Sequence, residues 1–128
     1  MAHQQQQFFT FGKVSQMAYI PTRRSENAVA YHLRSAYNVL IEPNDRDTVT
    51  TDIWLSMPQG CVAVLTPCSD WTENTMLDIV CKVFDIPYVS NIGVIIKNHS
   101  SYRLEIPRGS RIGQLVFHNV PAALNCCC

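Results

Sequence analysis

The sequence predicts an all-β domain, a sandwich, barrel or jelly roll with at most one short helix. Three observations carry that expectation. Turn signals recur at short intervals, at Pro21, Pro43-Asn44, Pro58 with Gly60, Pro67, Pro87, residues 98–101, and Pro107 with Gly109. The apolar runs between them alternate with polar residues or are β-branched, as half-buried strands require. No stretch longer than one or two turns keeps a 3.6-residue period.

Taken in order, the chain opens on the low-complexity run Gln4 to Gln7. Residues 1–7 are therefore expected to be a disordered Gln-rich terminus, ahead of one β domain at 8–120. In residues 48–55, Val49, Thr51, Ile53 and Leu55 share one face of a strand by the period of two. Residues 61–65, 77–84, 92–96, 102–106 and 112–117 are further strand candidates. Residues 69–76 are the one plausible helix, with Ser69 as its N-cap. Asn98-His-Ser-Ser101 and Pro107-Arg-Gly-Ser110 read as two hairpin turns. Residues 121–128 read as a short flexible tail that ends in Cys126, Cys127 and Cys128.

Composition excludes several function classes. The 128 residues fit one domain large enough to bury a core. Ten Lys and Arg balance ten Asp and Glu, so no basic excess exists to hold nucleic acid. Charged residues are only 16% of the chain, which favours a buried oligomer interface. The longest uncharged run, residues 53–69, is broken by Pro58, Gly60 and Pro67, so no membrane span is expected. The first residues lack the pattern of a secretory signal, and a reducing compartment, cytoplasmic and/or nuclear, is expected.

Of the six cysteines, Cys61, Cys68 and Cys81 are expected to be small core hydrophobes. None belongs to paired zinc-ligand spacings, and no metal ligands are assigned. The terminal triplet reads as an oxidisable tail, with lipidation of Cys126, Cys127 or Cys128 as a minor alternative. His3, His32, His99 and His118 are spread over strand ends and turns and read as surface or satisfied polar residues. Asp85 follows Lys82-Val-Phe84 and precedes Ile-Pro-Tyr88. A carboxylate at the rim of a β core there is either a general base or a turn-forming acceptor.

In order and spacing these segments resemble the trimeric dUTPases, which are jelly-roll or distorted-barrel β proteins. Ala30-Tyr-His-Leu33 with Ser35-Ala-Tyr37 resembles the first motif, Ala-Gly-Tyr-Asp-Leu. Thr51-Asp-Ile53 and Met57-Pro-Gln-Gly-Cys61 are similar to the stretch leading into the second, and Pro67-Cys-Ser-Asp70 resembles that motif, Pro-Arg-Ser-Gly. Val83-Phe-Asp85 and Tyr88 fall on the third motif, and Asn91-Ile-Gly-Val-Ile-Ile96 continues it. Arg108-Gly-Ser-Arg-Ile-Gly-Gln-Leu-Val116 resembles the fourth, Gly-Asp-Arg-Ile-Ala-Gln-Leu.

The resemblance implies an active site shared among three subunits that binds dUTP with magnesium. It implies Asp85 as general base on the water attacking the α-phosphate, Tyr88 against the deoxyribose, and Ser69 and Gln114 beside the phosphates. Four positions depart from the family: His32 replaces the acid that holds hydrated magnesium, Cys68 an arginine, Asp70 a glycine, and Lys82 a glycine beside the base. Loss of one charge-assisted phosphate bond costs about 1.5–3 kcal/mol. The fifth motif, a glycine-rich arm, is expected to be missing, as in the similarly compact adenoviral early-region dUTPase-derived protein, and a viral source fits that likeness. The expectation is therefore a non-catalytic protein of this family that acts through protein interactions, with host or cellular partners open. It is expected to be a homotrimer with no cofactor. The alternative is an active, magnesium-dependent dUTP pyrophosphatase.

Overall fold

The computed structural model describes residues 8–68 and 76–119, all of them in strands, turns and loops. The disordered terminus expected at 1–7, the helix expected at 69–76 save for Met76, and the tail at 121–128 lie outside the described residues. No helix among the described residues is long and apolar enough to cross a membrane.

The strands are β1 (Thr10–Lys13), β2 (Thr22–Arg23), β3 (Ala30–Arg34), β4 (Val39–Ile41), β5 (Arg46–Thr50), β6 (Ile53–Ser56) and β7 (Cys61–Thr66). They continue with β8 (Leu77–Ile79), β9 (Lys82–Phe84), β10 (Tyr88–Val89), β11 (Gly93–Asn98), β12 (Leu104–Ile106) and β13 (Arg111–Asn119). All pairings are antiparallel, in the orders β2-β3-β13-β7-β9, β1-β6-β10, β5-β11-β8 and β12-β4. This is the expected all-β, jelly-roll-like architecture.

Period-two alternation fills the core. Cys61, Ala63 and Leu65 point inward from β7, and Val94 and Ile96 from β11, each with half-buried neighbours between. Leu33, Ile41, Ile53, Leu55, Ile112 and Leu115 complete the interior at 1% exposure or less. Full burial of each such side chain contributes roughly 1.5–3 kcal/mol. Cys61 and Cys68 are buried as expected, but Cys81 is exposed, because it sits where the chain leaves one sheet for another.

Two long strand expectations are corrected. Residues 48–55 form two strands, because Asp52 takes a left-handed φ of 52°. Thr51 N–H donates to the Ile92 carbonyl at 3.0 Å, while Ile92 N–H donates to the Ile53 carbonyl at 2.9 Å. Residues 51–53 thus face one partner residue, a bulge that bends the strand from one sheet into the next. Residues 77–84 likewise split, with β8 pairing to β11 and β9 pairing to β7.

The two turns also stand where expected but close no hairpin. β11 pairs with β5 and β8, β12 with β4, and β13 with β3 and β7, so both turns carry the chain between sheets. Local turn chemistry fixes the reversal but leaves the partner open.

Candidate active site

The split between β8 and β9 opens a cleft of about 390 Å³. One wall is Thr48 and Thr50 of β5 with Gly93 and Ile95 of β11; the other is Cys81, Lys82 and Phe84 around β9. Lys82 stands in this wall. Its ammonium lies 5.0 Å from the centre of the Phe84 ring, so the side chain runs along the cleft surface. Asn91 also lines the cleft.

Asp85 lies on the turn between β9 and β10 and is exposed. It lines a separate cavity of about 410 Å³ with Gln59, Gly60 and Pro87. The turn is held by Met57 N–H, which donates to the Pro87 carbonyl at 2.8 Å. Tyr88 follows, 54% exposed, paired to Ser56 on β6, with its ring centre 6.1 Å from that of Trp54. Asp85 and Tyr88 therefore share one exposed edge.

His32, Gln114 and Cys68 lie elsewhere on the chain. His32 on β3 pairs with Gln114 on β13, which pairs with Thr66 on β7, and Gln114 Nε2 approaches Thr66 Oγ1 at 3.4 Å. His32 is buried, and with Gln114 and Arg24 it lines a cavity of about 230 Å³. β3 and β9 are three strand spacings apart in the five-stranded sheet, about 14 Å at ~4.8 Å each. Cys68 is buried, its Sγ 3.7 Å from the Arg111 carbonyl oxygen. Ser69 and Asp70 lie outside the described residues. Among the described residues no three His, Cys, Asp or Glu side chains gather as a metal site.

Two groups escape the motif reading. Arg24 belongs to none of the motifs, in the polar stretch before β3, and only the cavity reveals it. Asp52 sits inside a matched segment, yet its work is visible only in the fold. It is buried and accepts hydrogen bonds from Ser15 Oγ at 2.7 Å, Asn91 Nδ2 at 3.0 Å and the Tyr37 hydroxyl. Burial pushes its carboxyl up, and the hydrogen bonds from Tyr37, Ser15 and Asn91 outweigh that and hold it below the usual carboxylate range. The same bond to Asp52 raises the Tyr37 phenol. Burial raises the Cys61 thiol.

A protein-family model described as dUTPase matches residues 16–125. The Homo sapiens mitochondrial deoxyuridine 5'-triphosphate nucleotidohydrolase is 34% identical over 110 residues, 86% of this chain and 44% of that protein. The Yaba monkey tumor virus nucleotidohydrolase is 41% identical over 108 residues, 84% of this chain and 76% of that one. The chain thus spans under half of the human relative and about three-quarters of the viral one. Among solved structures, the Staphylococcus bacteriophage 80alpha dUTPase matches with a TM-score of 0.85 at 25% identity, over 93% of this chain and 94% of that one. A point mutant of the dUTPase of Staphylococcus aureus phage phi11, described with a structural Mg(II) ion, matches in fold with a TM-score of 0.84 at 24% identity, over 91% and 94%.

These relatives overturn the expectation of a non-catalytic protein acting through protein interactions. Chains 32–41% identical to this one over most of its length carry the hydrolase name. That expectation rests on the side chains changed at motif positions and on an expected missing fifth motif. The cavity around Gln114 does not want for a cation, because Arg24 lines it from outside the motifs.

Proposed function

This chain belongs to the dUTPase family, and we propose that it is a working dUTP pyrophosphatase that cleaves dUTP to dUMP and pyrophosphate. Asp85 is the general base. Its carboxylate takes a proton from water as the water oxygen attacks the α-phosphorus and the bond to the pyrophosphate oxygen breaks. Tyr88 packs against the deoxyribose, the base enters beside Lys82, and Ser69 and Gln114 contact phosphates. The observation that carries the reading is the exposed Asp85–Tyr88 edge, where Asp85 lines one cavity while Lys82 and Phe84, just before it, line the cleft around β9.

The active assembly is a homotrimer in this proposal. Support comes from the distance of about 14 Å between β3 and β9 within one subunit, which calls for another copy to complete the site. Val83, Ile86 and Tyr88 add an apolar patch around Asp85, each more than half exposed.

Magnesium is the cofactor the family implies. The Arg24–His32–Gln114 cavity does not fit it as a direct shell, because magnesium demands oxygen ligands in octahedral geometry and a guanidinium offers none. The proposal extends to a reducing compartment, cytoplasmic or nuclear, supported by the free thiols of Cys61 and Cys81.

Pyrophosphate release from dUTP with magnesium tests the activity, on protein whose oligomeric state is checked by light scattering. Turnover by the native chain that Asp85→Asn abolishes is the expected result. A native chain that releases no pyrophosphate overturns the proposal.

A further inference from the structure

We infer that Trp54 is a positioning residue for sugar selection: its indole, seated on Gly12, braces the Tyr88 ring, so that preference for a deoxyribose over a ribose depends on residue 54. The sugar as the ligand of Tyr88 rests on the hydrolase reading; the packing of the three residues does not.

The local fold brings them together. The period of two in β6 sends Ile53 and Leu55 into the core and leaves Trp54 and Ser56 half-buried on the opposite face. Gly12 of β1 pairs with Trp54, and Tyr88 of β10 pairs with Ser56. Paired residues share a face, so Gly12, Trp54 and Tyr88 lie on one side of the sheet β1-β6-β10, with Tyr88 on the diagonal from Trp54. The two ring centres are 6.1 Å apart, with the planes inclined at 35°.

Gly12 fixes where the indole lies. A Cβ on residue 12 would stand 2.0 Å from Cε2, 2.1 Å from Cζ2 and 2.2 Å from Nε1, so the indole fills the space that any other side chain would need. Seated on that backbone, Trp54 presents Tyr88 with a fixed surface. Tyr88 has little support of its own. It is 54% exposed, on a two-residue strand at the edge of the sheet. Among the described residues its aromatic neighbour is Trp54. An exposed ring changes rotamer in picoseconds to nanoseconds unless a neighbour holds it.

Selection follows from that brace. A hydroxyl added at C2′ of a sugar packed on Tyr88 must push the ring aside. With Trp54 behind it, the displacement gives up an aromatic contact that a deoxyribose leaves intact. The penalty falls on the ribonucleotide alone, which makes it selectivity and not shared binding. One aromatic pair sets its size at roughly 2- to 10-fold.

The ratio of kcat/KM for dUTP to that for UTP tests the brace, in the native chain, Trp54→Leu and Trp54→Phe. Trp54→Leu should lower the ratio roughly 2- to 10-fold, with the change in KM and kcat nearly held. Trp54→Phe keeps a ring and should retain most of the ratio, although both variants shrink the side chain. Equal ratios in the native chain and Trp54→Leu, or equal losses in the two variants, overturn the positioning role and leave the hydrolase reading standing. In Trp71→Phe protein Trp54 is the sole indole, and its emission should change when a non-hydrolysable dUTP analogue binds. Unchanged emission at saturation overturns the role as well, with no need for residue 54 to be replaced. A native chain without turnover sinks the hydrolase reading, and binding of that analogue and of its ribose counterpart then decides. A preference for the deoxyribose analogue that Trp54→Leu loses upholds the positioning role, and any other result overturns it.

Discussion

Asn91 turns both ends of its amide onto Asp52. Its Nδ2 donates to Asp52 Oδ1 at 3.0 Å, and the Asp52 backbone N–H donates to Asn91 Oδ1 at 3.1 Å. The clasp sits at the bulge that divides β5 from β6, and it orients an amide in the wall of the cleft beside β9. A buried carboxylate thus couples the strain of a left-handed residue to the shape of the candidate site.

Asp52→Ala is expected to cost about 2–4 kcal/mol by urea denaturation, because it strands the donors of Ser15, Tyr37 and Asn91 together. The pH dependence has a definite sign. The folded carboxyl ionises below its ordinary value, so its contribution is fully present above about pH 4 and is lost as the pH falls through the depressed folded value. Asp52→Asn should flatten the acid limb of the stability curve. A variant with the native acid limb would show that the carboxylate contributes nothing there.

Lys82→Ala tests the cleft wall. It removes a cation 5.0 Å from the Phe84 ring centre, worth about 0.5–1 kcal/mol at an exposed site, so the loss of stability should be small. The space released lies inside the cleft, and KM for dUTP should fall while kcat holds. An unchanged KM would place the base elsewhere.

Much of this fold is legible in the sequence where a residue reports on its own surroundings. Val49, Thr51, Ile53 and Leu55 are all buried, as their spacing requires. The break between them is not legible, because Asp52 is stabilised by Ser15, Tyr37 and Asn91, up to 39 positions away. The turns at Asn98 and Pro107 are legible from local chemistry, whereas their sheet partners depend on contacts across the whole chain. That Asp85 and Tyr88 stand close together is legible, because only two residues separate them at the turn from β9 into β10. Arg24 could not, since an arginine in a polar stretch looks like any solvated charge until β2 pairs with β3 and sets it above His32.

Gly12→Ala tests how the first strand supports the site. Gly12 pairs with Trp54 across β1 and β6, and a Cβ there would lie 2.0 Å from the indole Cε2. The indole must move, at about 1–3 kcal/mol for overpacking. Trp54 neighbours Tyr88 across β6 and β10, so the shift should also raise KM for dUTP and alter tryptophan fluorescence. Native fluorescence and KM in the variant would uncouple β1 from the site.

Asn98→Ala should destabilise the fold without touching the chemistry. Asn98 is 1% exposed, and its Nδ2 donates to the carbonyls of Ile41 at 3.0 Å and Tyr102 at 2.8 Å, while its Oδ1 accepts from Ser100 N at 3.0 Å. One side chain therefore ties β11, the end of β4 and the turn leading to β12, joining two sheets with no backbone ladder between them. Truncation leaves buried carbonyls without that donor and should cost roughly 2–4 kcal/mol. Asn98→Asp separates lost packing from lost donation, because it keeps the shape and gives up both N–H donors. At neutral pH it should be at least as damaging as the truncation, since a buried carboxylate would face carbonyl oxygens. Protonation restores one donor, so this variant alone should gain stability on mild acidification, read as a rising urea midpoint. Both variants should keep native kcat at temperatures where they remain folded, because residue 98 lines neither the cleft nor the cavities of Asp85 and Arg24. Equal stability of Asn98→Ala and the native chain would assign the joint between these sheets to side-chain packing alone.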